Sequence, residues 1–327
     1  MLFRSFPIGR LGGDEFAVVV ADASEAQEHQ ITSFVLSIVA ELDEHYRPAK
    51  SLNASIGIAR YPEHAQVGDL LMRFADMAMY QAKSLGKGRA VVFNSSLLQA
   101  MYDELDLEQA LKQAMMQDQI QVFYQAQYRL SDLSLAGAEA LVRWQRFGQW
   151  VSPARLIPLA EKTGLIHPLG LKVLDIVLND MRTWDAQDKY LPKVAVNVSA
   201  VQMRLDNMHE VFVGRIDESG VDWSRLEVEI TESAFADKDV CQIFIEHLEQ
   251  RHIRIALDDF GTGYSSLSQI TNLHIDTLKI DRSFVAQLED KEQVRVLVKT
   301  IIRMGHGLGL TVLAEGIETQ AQYEMLK

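Results

Sequence analysis

From about residue 120 onward, apolar and polar residues alternate in short runs, separated by longer segments with helical spacing. Alternation with a period of two marks a strand with two unlike faces. It predicts strands near residues 120–128, 136–143, 194–198, 226–231, 253–258, 277–280 and 311–315. Between them, Leu174, Val177, Leu178 and Met181 fall on one helical face, a core-packing stripe, and Ser152 followed by Pro153 marks a helix start. Strands and helices taken in turn are the order of a βα barrel; seven strands are legible and no eighth.

The amino-terminal part is patterned differently. RLGGDEFAVVV, residues 10–20, sets a glycine pair between strand-like residues and predicts a tight hairpin. A helical stretch follows, then a short strand within Ser51–Ala59. Leu71, Phe74, Ala75, Ala78 and Ala82 share one face of a helix over Asp69–Lys83, and Gly86 stops it. Residues 96–118, rich in Leu, Glu, Gln and Met, predict a connecting helix that also opens the second unit. The expected organisation is a small unit over 1–95, the connecting helix over 96–118, and a larger unit over 106–327.

Composition narrows the partners. A net charge of −13 disfavours polymeric DNA or RNA, whose binding sets lysines and arginines against successive phosphates. A small anionic nucleotide stays open, provided divalent cations sit between it and an acidic pocket. The most apolar region, Val294–Ala314, is interrupted by Arg295, Lys299, Arg303 and His306, so no membrane segment is expected. The apolar start is too short for a secretory signal, and the single cysteine, Cys241, cannot form an internal disulfide; together these point to the cytoplasm.

Parity sorts the residues of each strand. Ala195, Asn197 and Ser199 oppose Val194, Val196 and Val198; Glu227, Glu229 and Thr231 oppose Leu226, Val228 and Ile230; Arg254, Ala256 and Asp258 oppose Ile253, Ile255 and Leu257. Glu139, Leu141 and Arg143 share a face, and Lys279 lies opposite Leu278 and Ile280. In a parallel barrel, polar residues at the carboxyl ends of different strands converge on one mouth. The predicted cluster is Glu139, Asn197, Glu229, Asp258, Asp259, Lys279 and Glu315. Ion pairs or caps at an exposed rim would explain any one of them. The set is too acidic for that reading, because unpaired carboxylates in a partly buried mouth are strongly unfavourable without cations. Hard oxygen donors, with no His-x-x-x-His pair or paired cysteines, favour Mg²⁺ or Mn²⁺ over zinc. The adjacent Asp258 and Asp259 suit a site with two ions, and Lys279 and Arg143 suit the attacking water and a phosphoryl oxygen. FGTGYSSL, residues 260–267, reads as a flexible loop over the mouth or as an ordinary glycine turn. Gly305, Gly307 and Gly309 imitate a dinucleotide fingerprint but precede a strand, and read as a helix ending.

The chain resembles the EAL domains that hydrolyse cyclic di-GMP. The matching segments are Tyr124–Gln125, GAEALVRW at 137–144, SPARLIPLAEKTGLI at 152–166, VNVS at 196–199, EITES at 229–233, DDFGTGYSSL at 258–267, LKIDRSFV at 278–285 and AEGIET at 314–319. The resemblance runs from about residue 106 to the end. It implies an α/β fold, a modified TIM-type (β/α) barrel lacking its last strand, in which Glu139, Asn197, Glu229 and Asp258 hold one Mg²⁺ or Mn²⁺ and Asp258 with Asp259 a second. It also implies that Glu315 is the acid near the attacking water, that Lys279 orients water or phosphate, and that Glu232 steadies the 258–267 loop. Arg143 would contact phosphate, Gln125 a guanine edge, and Leu141 would line the substrate site. The product would be linear pGpG, and a homodimer through this domain is implied as well.

LGGDEF at 11–16, SIGIA at 55–59 and ADMAMYQAKSLGKGR at 75–89 resemble the second half of a GGDEF domain, the diguanylate cyclase fold, here a partial α+β domain. In that family Asp14 and Glu15 work with an earlier strand and helix that this chain is expected to lack, which leaves a degenerate site. The family's Arg-x-x-Asp motif would fall near residues 3–6, where Phe3 and Phe6 stand. Ala126 replaces the proline usual after Tyr-Gln, and the chain stops at Lys327 ahead of the family's eighth strand and Gln-Gly segment, leaving an expected open edge. The leading expectation is an active phosphodiesterase. A non-catalytic cyclic di-GMP receptor is the alternative, and cyclase activity from Asp14 and Glu15 would need the missing half.

Overall fold

The structure, a computed structural model, describes residues 6–46, 51–235, 238–261 and 275–327. Two units separate, Met1–Asp106 and Leu107–Lys327. In the first, β1 (Ile8–Gly12) and β2 (Glu15–Val18) form the predicted antiparallel hairpin, and Gly13 turns it at φ +52°. A helix, Glu25–Tyr46, precedes β3 (Ser55–Ile58), which pairs in parallel with β4 (Arg89–Val92). The helix Gly68–Ser84 lies so close to β3 that a Cβ on Gly57 would stand 1.9 Å from the Ala75 carbonyl oxygen. Ala78, Phe93 and Leu97 form a small core there, with Phe74 stacked on Phe93. The helix Ser95–Met116 crosses from the first unit into the second.

The second unit is built on one curled mixed sheet. Strand β5 (Ile120–Tyr128) runs antiparallel to β6 (Leu135–Arg146), and a two-residue strand β7 (Gln149–Trp150) folds back on β6. From β6 the sheet continues through β8 (Val194–Asn197), β9 (Leu226–Thr231), β10 (Arg254–Phe260), β11 (Thr277–Ile280) and β12 (Thr311–Ala314), each parallel to its neighbour. Among the described residues the sheet does not close on itself: its path ends at β12 and at β5. All seven strands read from alternation are present. Strand β7 escaped notice because two residues display no period.

Parity explains why this sheet forms. Val194, Val196, Leu226, Val228, Ile230, Ile255, Leu257, Leu278 and Ile280 are buried together with Leu174, Val177, Leu178 and Met181 of the helix Ile166–Ala186. Burying one apolar side chain of this size contributes roughly 1.5–3 kcal/mol, enough to fix the register of each strand. Two helix starts differ from the sequence reading. Ser152 precedes the helix Pro153–Thr163, but its side chain makes no capping bond; Pro153 alone supplies the start signal. Ser199 lies two residues past the end of β8, its backbone still extended, and is the N-cap of the helix Ala200–Met203, with a reciprocal capping box to Gln202.

Candidate active site

The mouth is assembled around one ammonium. Lys279, fully buried on β11, places Nζ 2.6 Å from Glu229 Oε2, 2.8 Å from Glu315 Oε1, 3.1 Å from Asp258 Oδ1 and 3.4 Å from Glu139 Oε2. Asn197, the last residue of β8, donates from Nδ2 to Glu139 Oε1 at 2.9 Å. Sheet geometry accounts for the convergence. Glu139, Asn197, Glu229, Asp258 and Lys279 all occupy the face opposite the helix-covered one, and the parallel registers bring Asn197 beside Glu229. Glu315 follows β12 directly, its N–H donating to the Ile280 carbonyl at 3.1 Å.

Asp259 breaks the alternation. It adopts φ +55°, the pairing of β10 with β11 shifts register there, and its N–H donates to Asp258 Oδ1 at 2.9 Å. A bulge of this kind re-aims a side chain that a regular strand would send to the other face. One turn on, Gly261 N donates to Glu232 Oε2 at 2.9 Å, so Glu232 anchors the start of the segment expected to form the loop. Residues 262–267 of that predicted loop lie outside the described residues.

The electrostatics follow from burial and crowding. Burial alone would lower the Lys279 ammonium, but Glu229, Glu139, Asp258 and Glu315 outweigh it and hold the group charged well above the ordinary lysine range. Burial pushes the Glu229 carboxyl well above the usual carboxylate range; Lys279 opposes this, and Glu139 and Asp258 reinforce it. Burial likewise raises Glu315 against the pull of Lys279, and burial with the neighbouring charge of Asp258 raises Asp259. Four carboxylates against one ammonium sum to −3 when all are ionised (1 − 4). The pairing with Lys279 corrects the picture of wholly unpaired carboxylates but leaves that excess.

Among the described residues no three His, Cys, Asp or Glu side chains already form a metal cage; the carboxylates close on Lys279 instead. The donor set nonetheless fits a hard divalent cation. It consists of carboxylate and amide oxygens with surplus negative charge, and Glu229 Oε1 is buried without a hydrogen-bond partner.

The remaining predicted residues are placed as follows. Gln125 is exposed and opposite Glu139 across β5 and β6, hence on the same face. Leu141 faces Phe123, and the Arg143 guanidinium lies 5.7 Å from the Phe123 ring centroid while donating to the Val142 carbonyl. Asp14 and Glu15 sit exposed at the turn of the β1–β2 hairpin, in the other unit. Sequence reasoning missed Glu161, whose carboxylate accepts from Ser199 Oγ, and Asp281, which adds to the upward shift of Asp259 and caps the helix Arg282–Val285. The capping pattern Asp-x-Ser at 281–283 was the available signal for the latter.

Fold and mouth together define the class: a barrel-type α/β protein with its chemical groups at the carboxyl ends of parallel strands. Residues 108–327 match the EAL domain family, and the chain belongs to it. Residues 4–89 match the family described as diguanylate cyclase, GGDEF domain, so a GGDEF domain precedes the EAL domain. Similar proteins include the bifunctional diguanylate cyclase/cyclic di-GMP phosphodiesterase MucR of Pseudomonas aeruginosa, 35% identical over 321 residues, which are 98% of this chain and 47% of that protein. Cyclic di-GMP phosphodiesterase PdeR of Escherichia coli is 34% identical over 320 residues, 95% of this chain and 47% of that protein. The chain thus spans about half the length of these curated relatives. Among solved structures, the PaMucR phosphodiesterase in complex with c-di-GMP superposes with a TM-score of 0.65 at 35% identity, covering 68% of this chain and 90% of that one.

Proposed function

We propose that the second unit is a metal-dependent phosphodiesterase that opens cyclic di-GMP to linear pGpG in bacterial second-messenger signalling. The observation that carries this reading is the meeting, at one mouth, of Glu139, Asn197, Glu229, Asp258, Lys279 and Glu315 from different strands of one sheet. The phosphodiesterase names of the relatives and the c-di-GMP complex of PaMucR support the substrate.

Glu139, Asn197, Glu229 and Asp258 would hold one Mg²⁺ or Mn²⁺, and Asp258 with Asp259 a second. Such ions, when bound, offset phosphate charge and make water a stronger nucleophile. The chain's own groups do the rest. Glu315, its carboxyl raised by burial, accepts a proton from the attacking water. Lys279 keeps its ammonium and donates from Nζ to water or a phosphoryl oxygen. Arg143 adds a cation for the phosphate, while Gln125 and Leu141 offer an amide and an apolar contact to a guanine. The new bond joins the water oxygen to phosphorus; the bond to the 3′ oxygen breaks, and that oxygen leaves as a hydroxyl after taking a proton.

The single cysteine supports a cytoplasmic setting, and the family resemblance supports pairing of two copies through this domain, which sedimentation would detect. No helix among the described residues is long and apolar enough to cross a membrane. Incubation with cyclic di-GMP and Mg²⁺ or Mn²⁺, followed by chromatography, should yield pGpG and stop on chelation. A folded protein that yields none sinks the reading.

A further inference from the structure

Beneath the mouth lies a second polar cluster that the proposed chemistry does not use. Glu227 is fully buried on β9; its Oε2 stands 2.5 Å from Lys193 Nζ, and its Oε1 accepts from Thr277 Oγ1 at 2.7 Å. Lys193, just ahead of β8, is buried as well. Glu227 and Glu229 are two residues apart on β9, and Thr277 and Lys279 two apart on β11, so each pair shares a face about 6.6 Å apart in depth. Two cross-links therefore run in parallel between strands that are not neighbours. Glu229 reaches Lys279 in the mouth, and Glu227 reaches Thr277 below it, both across β10.

Small residues make room for this arrangement. Ala256, the register partner of both Glu229 and Thr277, is the β10 residue on that face between the two links. Ala195 stands opposite Glu227. A Cβ on Gly137 would lie 2.9 Å from the Lys193 carbonyl oxygen and 3.3 Å from its Cε, so the lysine stem passes where a side chain on β6 would stand.

We propose that Lys193, Glu227 and Thr277 are positioning residues for the mouth, setting the depth and spacing of β9 and β11 and thereby the placement of Glu229 and Lys279. The hydrogen bond from Thr277 to Glu227 sets the separation of β11 and β9, and the ion pair with Lys193, which contributes little net stability compared with apolar packing, holds the Glu227 carboxylate in place. Its position directly below the two most buried groups of the mouth makes that separation consequential. The inference rests on the phosphodiesterase reading for its substrate and on the assigned oxygen donors for its metal.

The test uses the full chain and two readouts: Mn²⁺ binding without substrate, followed by the paramagnetic resonance of free Mn²⁺, and kcat with KM for cyclic di-GMP. Thr277→Val keeps shape and removes the hydroxyl, Thr277→Ser keeps the hydroxyl, and Glu227→Gln removes the charge. Thr277→Val and Glu227→Gln should weaken Mn²⁺ binding and lower kcat by about 10-fold each, the scale on which partners of metal ligands act, with KM little changed. Thr277→Ser should stay close to the parent chain. A cluster with a structural role alone would lower the unfolding temperature while leaving Mn²⁺ affinity and kcat per folded molecule intact, and that result overturns the proposal. If Glu227→Gln does not fold, the isosteric Thr277→Val decides. A parent chain that binds Mn²⁺ but leaves cyclic di-GMP whole defeats the phosphodiesterase reading, while the Mn²⁺ comparison still tests the positioning; a parent chain that binds no Mn²⁺ overturns both.

Discussion

A Cβ built on Gly316 falls 2.9 Å from the Cβ of Arg282, and the residue holds φ +69°. Glycine at this point lets the chain turn sharply after Glu315 while packing against the neighbouring helix. Gly316→Ala should lose roughly 1–2 kcal/mol from the left-handed backbone alone, and turnover should fall because Glu315 is the adjoining residue. Urea denaturation and product assay check both; full stability with full turnover refutes the argument. Lys279 offers a second case at this scale. Replacing it by methionine removes the cation on which four carboxylates close. Stranding buried charge in this way costs about 3–5 kcal/mol. Divalent cations should restore more stability to Lys279→Met than they add to the parent chain, because ligand binding to the folded state alone raises its stability. Thermal melts with and without Mn²⁺ measure this, and equal increments would count against the carboxylates as the metal-binding set.

At the scale of elements, the junction between β8 and the helix Ala200–Met203 ties a candidate ligand to a helix cap. Ser199, two residues after Asn197, accepts from Val201 N at 3.1 Å and donates from Oγ to Glu161, while its own N–H donates to Gln202 Oε1 at 3.1 Å. Ser199→Ala should remove about 1 kcal/mol and weaken Mn²⁺ binding through the loosened Asn197; unchanged affinity would show that the cap steadies the helix only. This junction also shows what the sequence reveals. Alternation located the strands because one face of each is buried by helices, which makes the period visible. Parity then named the mouth residues, including Glu229 and Lys279, since residues two apart share a face. Parity reports direction and not reach, so it gave no sign that Glu227 meets Lys193 and Thr277, contacts set by curvature of the sheet. Nor did it anticipate the left-handed turn at Asp259, where a bulge breaks the period.

For the molecule as a whole, two groups that ordinarily ionise near pH 10, Tyr124 and Lys279, hold their protons more tightly in the folded state than in the unfolded chain. Burial pushes the Tyr124 phenol upward, and its 2.6 Å hydrogen bond to Asp180 reinforces the shift. The Lys279 ammonium is held upward by its carboxylates despite burial. Both folded pKa values therefore lie above the unfolded values of about 10 for tyrosine and about 10.4 for lysine. Below these values both states are protonated and the contribution to stability is complete. As pH rises past them, the unfolded chain releases protons that the folded protein keeps, so stability falls, by up to about 1.4 kcal/mol per pH unit for each group. All four tryptophans, Trp144, Trp150, Trp184 and Trp223, belong to the second unit, so their fluorescence follows its unfolding alone. Denaturation midpoints should be level up to about pH 9 and decline steeply by about pH 11, and Tyr124→Phe should remove about half of the slope. A level profile across that window, or an equal slope in Tyr124→Phe, would mean that these buried groups are not held protonated by the fold.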